Sequence, residues 1–162
     1  MSNTINLVLV GLGLVGKRHA DIIEKTEDAK LLAIVDLSED AHNYAIEKNL
    51  PIYGSLEDMF LEQSPDGIIL ATPTPLHSKQ GLICINKKCP VMIEKPIANS
   101  SQEACELVEK AENMGVPVLV GHHRRYNPII QKAKNIQLKA KELNCELILP
   151  TDALCGKNLQ TF

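Results

Sequence analysis

The chain has no tryptophan, and aromatic residues make up only 3% of its 162 positions. Stacking platforms for nucleic-acid bases need aromatic faces, so a single-strand-binding surface is excluded as a main function. An excess of basic residues is also missing: 17 lysines and arginines stand against 20 acids, a net charge of −3. The electrostatic footprint of a nucleic-acid-binding protein is therefore absent. No apolar run approaches the roughly 20 residues of a membrane span. The N-terminal MSNTINLVLVG has no basic stretch, and its apolar run is a strand's length, so no secretory signal is read there. The five cysteines (Cys84, Cys89, Cys105, Cys145 and Cys155) are odd in number and form no C-x-x-C. That speaks against a zinc ribbon or a disulfide framework, and reduced thiols in a cytoplasmic protein are expected. No other ligand spacing suits a metal, and none is expected.

What is present is a rhythm. Short apolar runs at Ile5–Val10, Leu31–Asp36, Gly67–Ala71, Val91–Glu94 and Pro117–Gly121, with a weaker one at Pro51–Tyr53, read as strands. Amphipathic stretches at 14–26, 39–48, 55–62, 76–88 and 100–115 lie between them and read as helices. Ser38, Ser55 and Ser100 or Ser101 each precede acids and suit helix N-caps. Near-continuous apolar strands are buried on both faces. With short loops and alternating helices they predict an α/β fold, a doubly wound parallel sheet of Rossmann type. Both halves of such a sheet are complete by about residue 121, and a dinucleotide-binding domain is assigned to 1–127.

The most informative stretch is Gly11-Leu12-Gly13-Leu14-Val15-Gly16, between the first strand and the first helix. Gly11 lets the chain turn tightly off the strand. Gly13 lets the backbone approach a pyrophosphate, and Gly16 lets the helix pack close. The N–H groups of the helix start, around Leu14 and Val15, then face the phosphates. Asp36 lies twenty residues past the last glycine, at the end of the second strand. Its carboxylate suits both ribose hydroxyls of an adenosine and repels a 2′-phosphate, so NAD is expected over NADP.

Three more turns follow strand ends, the edge where open α/β sheets bind ligands. Thr72-Pro73-Thr74-Pro75 is a rigid turn with His77 on the next helix; it can lie along a cofactor or simply cap the helix. Glu94-Lys95-Pro96 places a lysine where a nicotinamide and a substrate hydroxyl would meet, a candidate for proton movement; alone it also fits an ordinary surface lysine. His122, His123, Arg124 and Arg125 close the sixth strand and suit an anionic or polyhydroxyl ligand. Adjacent histidines in an extended chain point opposite ways, so they do not share a metal. His19, three residues after Gly16, either faces the phosphates or packs.

Taken together, G-x-G-x-x-G-x-x-H at 11–19, Asp36, A-T-P-x-x-x-H at 71–77, E-K-P-x-A at 94–98 and G-x-x-x-R-x-x-P at 121–128 resemble the glucose–fructose oxidoreductase / inositol dehydrogenase (Gfo/Idh/MocA) family over about residues 5–130. The resemblance implies an NAD(P)-dependent oxidoreductase acting on sugars, inositols or related hydroxy compounds. It implies that Gly11, Gly13 and Gly16 hold the pyrophosphate and Asp36 the ribose. Thr72, Pro73, Thr74, His77 and Glu94 would lie along the cofactor, with Lys95 catalytic at the junction of nicotinamide and substrate. Arg125 matches the family's arginine before the domain crossover. Thr74 stands where many members have Asn.

The family's second domain, which supplies most of the substrate pocket and the oligomer face, is not read in this sequence. Residues 128–162 are expected instead to form an atypical tail: a helix at about 128–143 and a strand at Glu146–Leu149. The piece KAKELNCELILPTD is similar, over a short span, to phosphoglycerate kinases, without a kinase phosphate site. Two functions remain open: the cofactor domain of a truncated polyol- or sugar-type oxidoreductase, or a non-catalytic NAD-binding or regulatory module. No nucleic-acid or membrane partner is expected, and a homo-oligomer is left open.

Overall fold

The structure is a computed structural model, and it describes residues 4–142, with side chains over 4–135. Six parallel strands form one sheet in the order β3-β2-β1-β4-β5-β6. They are β1 (Ile5–Val10), β2 (Ala29–Val35), β3 (Ile52–Tyr53), β4 (Gly67–Leu70), β5 (Val91–Glu94) and β6 (Val118–Gly121). Five helices connect them: α1 (Leu14–Glu24), α2 (Glu39–Lys48), α3 (Leu56–Glu62), α4 (Thr74–Asn86) and α5 (Ser101–Met114). The expected doubly wound sheet is therefore present, and its strand order reverses between β1 and β4.

Strand side chains alternate faces, and the two cores show it. Val8, Val10, Ala33, Val35, Ile68, Leu70 and Ile93 pack with Leu56 and Met59 of α3, Cys84 and Ile85 of α4, and Leu107 of α5. The intervening residues Leu9, Ile34 and Ile69 pack on the other face with Ala20 and Ile23 of α1 and Ala41 and Ala45 of α2. Both faces are covered, which is why the strands read as unbroken apolar runs.

Helix starts follow ordinary chemistry on three of the five. The hydroxyls of Ser38, Ser55 and Ser100 accept from the N–H of Ala41, Asp58 and Glu103. Acids occupy each of those first turns. Helix α4 begins at Thr74, two residues before the expected start, and takes Pro75 into its first turn. A proline costs nothing there, because a first-turn N–H has no intrahelical partner.

Contacts divide the chain into two compact units, the first ending at Gly121 and the second beginning at His122. The second holds a 3-10 turn, His123–Tyr126, and a helix, α6 (Pro128–Glu142), close to the expected one. The strand expected at Glu146–Leu149 lies outside the described residues. Cys84 and Cys89 are free and buried. Among the described residues no helix is long and apolar enough to cross a membrane.

Candidate functional site

The sheet register builds the site. Val10 lies beside Val35 on one side and Leu70 on the other, Leu70 beside Ile93, and Glu94 beside Gly121. The residues that follow are therefore brought to one edge: Asp36, Gly11, Ala71, Glu94 and Gly121. This is the carboxyl edge of the sheet at its topological switch point, where such sheets take ligands.

The three glycines of the loop do different things. Gly11 has φ +87°, and a Cβ on it would stand 2.9 Å from the backbone of Ala71 and Thr72. A Cβ on Gly16 would stand 2.0 Å from the Gly11 carbonyl oxygen. Both positions are closed by the protein's own backbone. At Gly13 an added Cβ would meet nothing within 4 Å. Its lack of a side chain serves no internal packing and leaves open space in front of α1. Gly13 is also the N-cap of α1, with no side-chain cap and no acid in the first turn. The N–H groups of the first turn, where Leu14, Val15 and Gly16 lie, thus keep their donor capacity for an anion outside.

Asp36 anchors the same loop. One carboxylate oxygen accepts from Leu12 N–H at 2.6 Å, and the other accepts from Ser38 N–H at 2.7 Å. Burial pushes its carboxyl up, but donors from Leu12, Ser38 and Leu37 more than offset this and hold it below its ordinary value. An ionised carboxylate with lone pairs to spare stands beside the glycine loop, as a ribose diol requires. Open space at Gly13, an uncapped helix start and an ionised Asp36 together fit a dinucleotide with a free ribose.

The turns after β4 and β5 are joined by histidines. His77 is 1% exposed. Its Nδ1 lies 2.8 Å from the Pro96 carbonyl oxygen and its Nε2 lies 2.8 Å from that of Thr72. Carbonyls only accept, so the protonated ring nitrogen donates to the carbonyl it faces and ties the ring into the turn. Thr72 also donates its hydroxyl to Gln80 Oε1 at 2.6 Å. Pro73 is the N-cap of α4, and Thr74 is its first residue.

Glu94 is 7% exposed. Its Oε1 lies 3.0 Å from His19 Nε2, and its Oε2 accepts from Lys95 N–H at 3.2 Å. Gly121 makes room for it, because a Cβ there would fall 3.0 Å from Glu94 Oε1. Lys95 is exposed, precedes a cis peptide to Pro96, and enters no salt bridge among the described residues. Arg125 is half-buried in the second unit, where its carbonyl accepts from the Gln131 side chain.

The first unit thus gathers Gly11, Gly13, Leu14, Val15, Gly16, Asp36, Thr72, Pro73, Thr74, His77, Glu94 and Lys95 around one sheet edge. Sequence reasoning did not see the His19–Glu94 pair, the Asp36–Leu12 bond or the fit of Gly121 to Glu94. The signals were the histidine after the glycine loop and the acid ending β5. Neither reveals a partner 75 residues away. Among the described residues no cluster of His, Cys, Asp or Glu is arranged to hold a metal ion.

A doubly wound sheet with an uncapped glycine loop at its switch point is the architecture of the dinucleotide-binding oxidoreductase domains. Residues 5–122 match the oxidoreductase family with an NAD-binding Rossmann fold, Gfo/Idh/MocA, and the chain belongs to that family. It is 30% identical over 146 residues to the inositol 2-dehydrogenase of Rhodococcus jostii, covering 83% of this chain and 38% of that protein. It is 29% identical over 133 residues to the 4-carboxy-2-hydroxymuconate-6-semialdehyde dehydrogenase of a Sphingobium species, covering 81% of this chain and 42% of that one. Among solved structures it is similar to the WlbA dehydrogenase from Bordetella pertussis in complex with NADH and UDP-GlcNAcA. That likeness has a TM-score of 0.80 and 27% identity, covering 85% of this chain and 43% of the other. The chain spans about two fifths of the length of these relatives.

Proposed function

We propose that this chain is the cofactor-binding part of an NAD-dependent oxidoreductase that moves a hydride between nicotinamide and a hydroxy or keto compound of polyol or sugar type. The observation that carries the reading is the convergence at one sheet edge of an uncapped helix start, an ionised Asp36 and an exposed Lys95. When bound, NAD supplies the hydride acceptor. The N–H groups at the start of α1 hold the pyrophosphate, and Asp36 accepts the ribose hydroxyls and repels a 2′-phosphate. The turn from Thr72 to Thr74 and the end of β5 at Glu94 line the cofactor's path, with His77 holding that turn from behind. Lys95 hydrogen-bonds the substrate oxygen and exchanges a proton with it. A cofactor-binding role for Arg125, which matches the family's arginine before the domain crossover, belongs to the same proposal. The 1–127 boundary, cytoplasmic residence and self-association belong to the same proposal.

Calorimetric titration with NAD, NADH and NADP tests the cofactor reading. NAD and NADH should bind, and NADP should bind more weakly; equal or tighter NADP binding overturns the role given to Asp36. Turnover over a panel of polyols and sugar acids, followed at the NADH absorbance band, tests the chemistry. Lys95→Ala should abolish turnover with a modest loss of binding. A second reading is an NAD-binding regulatory module. Binding without turnover across the panel would favour it.

A further inference from the structure

We propose that His19 is a positioning residue for Lys95, acting through the carboxylate of Glu94; its consequence for cofactor and substrate rests on the function proposed above. Four observations carry it. First, Lys95 is exposed on a turn, and nothing in the salt-bridge network of the described residues holds its ammonium. Its placement must come from its backbone. Second, the far side of that turn is pinned, because His77 Nδ1 lies 2.8 Å from the Pro96 carbonyl oxygen. Third, the near side depends on Glu94, whose Oε2 accepts the N–H of Lys95 itself at 3.2 Å. Fourth, a buried carboxylate needs partners for both oxygens, and the other oxygen, Oε1, meets His19 Nε2 at 3.0 Å across 75 residues of sequence.

The pieces fit because of where His19 stands. It lies on α1, one turn past Gly16, on the helix whose start faces the open space at Gly13. Gly121, beside Glu94 on β6, has no side chain to push the carboxylate away. The carboxylate is thus held between α1 and the turn that carries Lys95. One hydrogen-bonded path, His19–Glu94–Lys95 N–H, ties the glycine-loop helix to the candidate proton-transfer residue. Glu94 is itself engaged on both oxygens, which makes it a bridge rather than a free base.

The test compares full-length chains carrying His19→Gln and His19→Asn. A glutamine amide reaches about as far as an imidazole Nε2 and can donate to Glu94 Oε1; an asparagine amide falls short by one carbon. Without NADH, exchange of the Lys95 backbone amide should rise roughly tenfold in the Asn variant and return to the unmutated rate in the Gln variant. Exchange in the core strands should stay unchanged in both, which a general loss of stability would not allow. With saturating NADH, Lys95 should be shielded from an amine-acylating reagent in the unmutated and Gln chains, and should lose that shielding in the Asn chain. An Asn variant that exchanges and acylates like the unmutated chain overturns the proposal, and so does a Gln variant that fails to restore either reading. If NADH shields Lys95 in no chain while the amide exchange behaves as expected, the proposed placement of Lys95 beside the nicotinamide fails and the positioning by His19 stands.

Discussion

Helix α5 starts with Ser100, whose hydroxyl accepts from Glu103 N–H at 3.2 Å; helix α1 starts with Gly13, which has no side chain to offer. The first turn of α5 carries an acid and that of α1 carries none. Both helices lie on one sheet and bury small and apolar residues at helical spacing: Ala104, Leu107 and Ala111 on α5, and Gly16, Ala20 and Ile23 on α1. Their packing logic is the same, and only their beginnings differ. A capped start spends its donors on the fold. An uncapped start at the carboxyl edge of a sheet keeps them for an anion. The comparison separates residues that hold the protein together from residues held ready for something else, and substitutions can press on it from either side.

The largest effect belongs to Gly16→Ala. The new Cβ would lie 2.0 Å from a backbone oxygen that cannot move without moving the loop. Denaturant titration should show a loss of about 4 kcal/mol or more. Near-unchanged stability would mean that the loop is looser than its geometry. Gly13→Ala is the opposite case, because nothing lies within 4 Å of the added carbon. Its melting temperature should hold while NADH affinity falls roughly tenfold, about 1.4 kcal/mol. A large stability loss with affinity intact would reverse the roles assigned to the two glycines.

Asp36 serves both sides, so its substitution should show both effects at smaller size. Its folded-state carboxyl is depressed. The stability it contributes is therefore present above the unfolded value of about 3.9 and is lost as pH falls through the folded one. Asp36→Asn should flatten the acid limb of a stability–pH profile measured from pH 5 downward and narrow the preference for NAD over NADP. An unchanged acid limb would remove Asp36 from the loop's support. The smallest effect is Ser100→Ala, about 1 kcal/mol in stability with NADH binding unaltered. If NADH affinity also fell, capped and uncapped starts would not be as separate as they look.

Much of this was legible before any coordinates, for local reasons. Ser38 and Ser55 announced their helices because a cap and its acids sit within four residues. Gly11 and Gly16 announced the loop because the turn and the close approach are set within a few positions of each other. Asp36 was found by its distance from the glycines, yet its bonds to Leu12 and Ser38 were not, since both donors are backbone groups that any residue could supply. The start of α4 was misplaced because Pro75 read as a turn residue, whereas the first turn of a helix accepts it. His77 was singled out as a neighbour of the cofactor. Its burial and its two carbonyl partners come from a loop nineteen residues away and from its own helix start. His19 and Glu94 each looked ambiguous alone, and only the sheet order brings α1 and β5 to the same edge.

Gly121 has one more consequence. The space its missing side chain leaves is filled by the Glu94 carboxylate. The two positions are therefore not independent variables for evolution or for a designer. A side chain at 121 would press on the acid at 94, and a shorter residue at 94 would relieve the contact with its carboxylate. A survey of tolerated substitutions would find them coupled, although they lie 27 positions apart in the sequence.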